Sequence, residues 1–381
     1  MHRVLLLVVL GGCVLLPGQA SDAIDSWEPA NTYAVIIGVT RFESDLTKYP
    51  RRHRKDRELR DLLIQRGTPP NQISLLLDSE ATLENIRQTI KSTLSATSES
   101  STLLIYYAGH GWKTGDDFCF ANYDVVLGRD NLKTGWLLSE LANEVHDNFK
   151  GRQAVFLGDC CHSGGMRLAV EALRRRGVAS FSLTSATTAI TSTGNWTFTQ
   201  SVLDALAGRP LMDTNRDGVI TLGELRSEVN SAMLHLEGQE TGFSSSGTGD
   251  GFVIGSTDRE MIDLPNLAFP VGSYIRVKGR YGRIIGLVED RHRNYVVEFF
   301  NYAEKEVKRF AESELRLSRR DSTGRSGNTE PDCEVKWQGE WYAARVMRKA
   351  GGRWFIHYVE DDHTWDEWVG ADRIRFPSQG E

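Results

Sequence analysis

Along this chain the apolar residues fall into two kinds of pattern. Up to about residue 256 they form short unbroken blocks: "YAVIIGV" at 33–39, "ISLLLD" at 73–78, "TLLIYYAGHG" at 102–111, "RQAVFLGDCC" at 152–161, "VASFSLTSA" at 178–186 and "GFVIGS" at 251–256. Blocks of this kind, rich in β-branched residues, predict strands covered on both faces. Between them, helical spacing predicts helices at about 52–66, after the cap Thr82, at about 134–147, and from the cysteines to Gly177. Strands alternating with helices predict an α/β domain over 21–260, a mostly parallel six-stranded sheet with helices on both faces. Beyond Phe269 the helical pattern stops, and short aromatic strands alternate with charged turns. Two small all-β, SH3-like barrels are expected at 268–318 and 332–377, joined by a polar, Gly/Ser-rich linker at 319–331.

A length of 381 residues fits more than one core, and a net charge of -6 gives no general attraction for nucleic acid, so none is expected as a partner. At the N-terminus, His2 and Arg3 precede an apolar run from Val4 to Leu16, followed by "PGQA". This predicts a signal peptide over 1–20, too short to span a bilayer, with no transmembrane span after its removal. The expected location is secreted or periplasmic. Lipid anchoring at Cys13 ranks second, because apolar "VLLP" would follow the lipid directly. Five cysteines in a chain this long are no disulfide framework.

The candidate chemistry sits at two strand ends. His110 closes the third block, and Cys160 and Cys161 close the fourth. In open parallel sheets reactive groups gather at the carboxyl edge, and a thiol beside a base becomes a nucleophile. Gly109, Gly111, Gly164 and Gly165 flank them and let backbone approach a substrate. A helix starting just after the cysteines would point its positive end at the sulfur. The plain alternative is a buried cysteine beside a satisfied histidine.

"YAVIIGV", "YYAGHG" and "DCCHSGG", in this order and spacing, resemble the caspase and metacaspase cysteine peptidases over about residues 31–256. The resemblance implies a cysteine endopeptidase with a protein or peptide substrate. His110 would be the general acid–base, Cys161 the nucleophile, and the N–H groups of Gly111 and Cys161 the oxyanion donors. Cys160 would fall at a variable position and point away from the scissile bond. Asp159, where true caspases carry glutamine, implies a pocket for Arg or Lys, with Asp56 aligning loosely as a second acid. A carboxylate capping backbone is the alternative for Asp159. "RRR" at 174–176 suggests self-cleavage, or a cationic last turn before Gly177. The adjacent thiols also suggest a redox switch.

"DTNRDGVITLGE" at 213–224 fits a calcium loop of the EF-hand type. Asp213, Asn215, Asp217, the Val219 carbonyl, Thr221 and Glu224 are the expected ligands, with Gly218 making the turn. Calcium is therefore the expected cofactor, and no organic one is. A metal-free turn shaped by Asn and Asp is the alternative. "VKWQGEWYAARV" and the stretch ending "WDEWVGADRIRF" resemble Tudor-knot or chromo-barrel modules, with 270–318 a more distant likeness. The expected ligand is an unidentified peptide or surface group. Trp337, Trp341, Tyr358, Trp365 and Trp368 are candidates for an aromatic cage, although a barrel this small needs large side chains for its core. The leading expectation is a calcium-influenced peptidase. A catalytically silent adaptor displaying the barrels is the rival.

Overall fold

The structure is a computed structural model, and it describes residues 26–49, 54–115, 117–127, 134–187, 195–257, 269–277, 280–288, 294–301, 304–318, 333–337, 340–350, 353–358 and 367–376. The predicted signal segment and linker lie outside these residues.

Five of the expected blocks pair side by side. Strands β1 (Thr32–Gly38), β2 (Ile73–Leu77), β3 (Thr102–Ala108), β7 (Gln153–Asp159) and β8 (Ala179–Thr184) run parallel in the order β8-β7-β3-β1-β2. The sixth strand is a correction. It is β10 (Gly242–Ser246), antiparallel to β8 and rich in serine. The expected "GFVIGS" block instead forms β11 (Val253–Ser256) and pairs with β9 (Val219–Thr221) outside the main sheet. An edge strand half-exposed to solvent needs no apolar block, so the pattern passed over it.

Alternate residues of each strand feed two cores. Val35, Ile37, Ile105 and Phe156 pack with α2 (Leu83–Ala96), α3 (Leu138–Asn148) and α4 (Arg167–Arg174). Ala34, Ile36, Leu104 and Leu157 pack with α1 (Lys55–Gln65), α5 (Thr197–Leu206) and α6 (Leu222–Ala232). Period-two burial on both faces is the reason the strands read as unbroken apolar blocks. Thr82 caps α2 by accepting Asn85 N–H, as its position predicts.

The two all-β units have the same strand order. The first is β15-β14-β13-β12-β16, within Tyr274–Val277, Arg280–Val288, Asn294–Asn301, Glu304–Phe310 and Arg316–Leu317. The second is β20-β19-β18-β17-β21, within Cys333–Trp337, Glu340–Ala350, Arg353–Tyr358, Glu367–Val369 and Ile374–Arg375. The first packs on α6: Arg283 Nη1 meets Glu228 Oε1 at 2.6 Å and Tyr274 Oη donates to the same oxygen at 2.7 Å, all three nearly buried.

Candidate active site

The register of β3 against β7 builds the site. Ala108 pairs with Asp159, so His110 and Cys161 each stand two residues beyond the same pair on adjacent parallel strands. Gly111 presses on the second loop. A Cβ built there would lie 2.2 Å from the Cys161 carbonyl oxygen, so only glycine fits. Gly111, expected to close the third strand, instead opens β4 (Gly111–Thr114), which pairs with β5 (Asp117–Phe120).

Two consecutive tyrosines hold this edge. Tyr107 turns its hydroxyl to the His110 carbonyl at 2.8 Å and the Ala121 carbonyl at 2.9 Å. Its ring stacks on Phe120. Tyr106 faces the other core and bonds Thr199 Oγ1 at 2.7 Å. A tyrosine buried in a strand needs a partner for its hydroxyl, and these two brace opposite halves of the site.

The His110 ring lies against Phe42 and Tyr49. Its Nε2 is 2.9 Å from the Thr47 carbonyl and its Nδ1 is 3.0 Å from Tyr49 Oη. A carbonyl only accepts, so Nε2 carries the proton and a neutral ring presents Nδ1 as the acceptor. The loop after β1 therefore orients the His110 ring through a backbone carbonyl and a tyrosine hydroxyl, which no side-chain motif announces.

The two sulfurs differ sharply in setting. Cys160 is 1 % exposed and part of the apolar core. Burial, and then the nearby Cys161 and Asp159, push its thiol well above the ordinary range. Cys161 is half-buried. The next residue, His162, adopts a left-handed backbone at φ 53°, uncommon for a non-glycine residue. The regular helix starts only at Arg167, behind a 3-10 turn over Ser163–Met166, so the helix N-terminus stands farther from the sulfur than expected. Among the described residues the four cysteines form no disulfide.

Asp159 lines a pocket beside these loops together with Thr40, Tyr49, Asn195 and Trp196. Thr199 Oγ1 donates to its Oδ2 at 2.5 Å. Burial raises its carboxyl to about 7, although bonds from Thr199 and Ser185 pull the other way. The expected second acid, Asp56, is not brought to this pocket's lining. It is fully buried and gripped by Arg54, whose Nε lies 3.0 and 3.1 Å from its two oxygens. The same guanidinium reaches Asp78, Thr40 and the Gly38 carbonyl.

The 213–224 loop folds as a turn closed on itself. Asp213 accepts from Asp217 and Gly218 N–H, and Asp217 from Val219 N–H. Glu224 accepts five hydrogen bonds, from the N–H groups of Thr214, Asn215 and Thr221 and the hydroxyls of Thr214 and Thr221. Thr221 also caps α6, and Arg216 takes the left-handed conformation. Among the described residues no three His, Cys, Asp or Glu side chains converge as a metal site. The short strand of the loop is covered by β11, in place of a second such loop.

Two further expectations meet structural uses. Arg176 donates to the Val145, His146 and Phe149 carbonyls at the end of α3, and Arg174 pairs with Glu171. Within the basic triplet, Arg176 thus caps a neighbouring helix. In the second barrel, Trp341 has the Arg375 guanidinium 4.2 Å from its ring centroid, and Trp365 lies outside the described residues.

Strand order, paired loops and adjoining pocket define a caspase-like α/β domain. The chain belongs to the caspase domain family, whose model matches residues 31–254. A second family model, the Tudor-knot, described as an RNA binding activity-knot of a chromodomain, matches residues 329–376. Among solved structures, a Geobacter sulfurreducens protein shares 13% identity at TM-score 0.41, covering 60% of this chain and 100% of its own. The Drosophila initiator caspase Dronc shares 8% at TM-score 0.37, covering 60% and 85%. Caspase-1 from Spodoptera frugiperda shares 14% at TM-score 0.37, covering 62% and 94%. No curated protein matches the chain. No described helix is long and apolar enough to cross a membrane.

Proposed function

We propose that this chain is a cysteine endopeptidase that cleaves after Arg or Lys, using Cys161 as nucleophile and His110 as general acid–base. The observation that carries this reading is the shared register: both residues stand two positions past the same pair of register partners, Ala108 and Asp159, with Gly111 seated on the Cys161 carbonyl. Cys161 is the more exposed of the two thiols, whereas Cys160 is 1 % exposed and, although it borders the Asp159 pocket, belongs to the core.

In this reading the Tyr49 hydroxyl first releases Nδ1 of His110, which then takes the Cys161 proton while Nε2 stays on the Thr47 carbonyl. The sulfur attacks the peptide carbonyl and forms a tetrahedral adduct. The N–H groups of Gly111 and Cys161 hold its oxyanion, a contribution of about 3 kcal/mol in such sites. The imidazolium gives its proton to the departing amine, leaving a thioester on Cys161. Water, deprotonated by the same imidazole, releases the acid and restores the thiol. A guanidinium or ammonium at P1 meets Asp159 in the adjoining pocket, and its charge favours the ionised carboxylate there.

The test is hydrolysis of Arg- and Asp-ended fluorogenic peptides. Cys161→Ala is expected to lower kcat by at least about a thousandfold. Cys160→Ala is expected to keep activity within a few-fold and to lower Tm. Loss in Cys160→Ala with retention in Cys161→Ala overturns the assignment.

Calcium at the 213–224 loop is a second part of the proposal. The loop offers only oxygen donors, which suits a hard divalent cation, and Asp213, Asn215, Asp217, Thr221, Glu224 and the Val219 carbonyl would hold it. Bound calcium would supply positive charge to a loop that now balances its carboxylates with N–H groups. Calorimetric titration checks this: equal heats for wild type and Glu224→Gln remove calcium from the reading. Export, read from residues 1–20, is the expected location, and a mature N-terminus at Ser21 is the result that checks it.

A further inference from the structure

The substrate pocket has a second acidic neighbour that no motif marks. Glu237 ends the π-helical continuation of α6 at Met233–Glu237. Its carboxylate accepts Asn195 Nδ2 at 2.8 Å and the Thr197 hydroxyl. Asn195 and Trp196 line the pocket with Asp159; Glu237, like Asp56, is not itself in the lining, but it holds the lining residue Asn195 and, through Thr197, the chain just after Trp196. Both of its partners are neutral. Among the described residues no Lys or Arg forms an ion pair with Glu237, whereas Asp56 has Arg54. After burial and its hydrogen bonds, the charge of Glu237 is among the influences on the Asp159 carboxyl, and it acts to raise it.

We propose that Glu237, rather than Asp56, is the second acid of this pocket and sets its preference for a cationic side chain through the Asn195–Trp196 wall. The physical reason is charge balance. Asn195 and Thr197 satisfy the oxygens of Glu237 without neutralising it, and Asp159 accepts from the Thr199 hydroxyl and, among the described residues, forms no ion pair. An arriving guanidinium would bring the positive charge that neither carboxylate meets among the described residues. At Asp56 the place is already taken by Arg54, so a substrate cation would gain little there.

The inference rests on the peptidase reading for the reaction, not for the binding. With wild type and Glu237→Gln, kcat/KM is measured on paired peptides ending in Arg or in norleucine, which has a similar reach and no charge. The substitution should lower the Arg value about tenfold, mainly through KM, and the norleucine value less than about twofold. An unchanged Arg-to-norleucine ratio overturns the proposal, and so does an equal fall for both peptides, which would make Glu237 only a support of the wall. A second measurement separates this from catalysis: argininamide binding to Cys161→Ala by calorimetry, with and without Glu237→Gln. If wild type cleaves no peptide but Glu237→Gln weakens argininamide about tenfold, the peptidase reading falls and the acidic pocket stands. Argininamide that fails to bind Cys161→Ala, or binds equally with Gln at 237, overturns the pocket.

Discussion

Asp159 and Glu224 are both nearly buried carboxylates, and the structure treats them in opposite ways. Glu224, in the first turn of α6, accepts five hydrogen bonds. Burial alone would raise its carboxyl, but N–H donors from Thr221, Asn215 and Thr214 outweigh it and hold the group below the usual range. Asp159, at the tip of β7, has mainly Thr199 and Ser185, and burial wins, so its carboxyl rises to about 7. Glu224 finds its donors within its own turn. At Asp159 no cation answers the carboxylate among the described residues, an imbalance that the proposed basic P1 side chain would relieve. Glu228, one turn along α6, lies between these cases: burial raises it even against the opposing Arg283.

Breaking these balances should give effects of graded size. The largest is expected for Arg283→Met, which leaves Glu228 buried without its cation and should cost about 3–5 kcal/mol in denaturant unfolding. Combining it with Glu228→Gln should recover much of that loss. If the single change costs less than about 1 kcal/mol, Glu228 is not balanced by Arg283.

Asp159→Asn comes next, and its sign is opposite. An acid raised from 3.8 to about 7 keeps its proton in the folded state after the unfolded chain has lost it. Its contribution to stability is therefore greatest below about pH 4 and is lost as pH rises through about 7, on the order of 4 kcal/mol. Asp159→Asn should raise Tm at pH 8 and leave it unchanged near pH 4. A loss of stability at pH 8 would show that the carboxylate is compensated after all.

The same group should shape specificity. Cleavage after Arg, relative to norleucine, should fall as pH drops through about 7, where Asp159 takes up its proton. Thr199→Val removes a donor to the ionised form and should move that midpoint upward. A ratio flat with pH would exclude Asp159 from the pocket's recognition. The smallest effect is expected at Glu224. Glu224→Gln weakens a cap and a turn, costing about 1 kcal/mol without calcium. Because its folded carboxyl lies below the usual value, that contribution exists above the ordinary range near 4.5 and is lost on further acidification.

Much of the first domain was legible along the chain because burial on both faces leaves unbroken apolar blocks, and five such blocks became the parallel strands. The serine-rich edge strand β10 left no such trace, and the block at 251–256 went instead to cover the short strand of the 213–224 turn. The resemblance carried by "YYAGHG" and "DCCHSGG" named the residues to inspect. It did not supply the contacts of Tyr106 and Tyr107, which stand inside it, nor Tyr49, Thr47 or Thr199, whose parts are hydroxyl and carbonyl contacts to residues mostly distant in sequence.

By itself, then, the sequence determined the alternation of strand and helix, the change to small barrels near residue 269, and the pairing of a histidine with adjacent cysteines at strand ends. Those follow from local periodicity and from residue types with few other uses. Only the tertiary structure decided which thiol is buried, which acid already holds an arginine, and which acid holds the pocket's lining residue Asn195. Burial and charge balance depend on neighbours distant in sequence, and no local pattern encodes who those neighbours are.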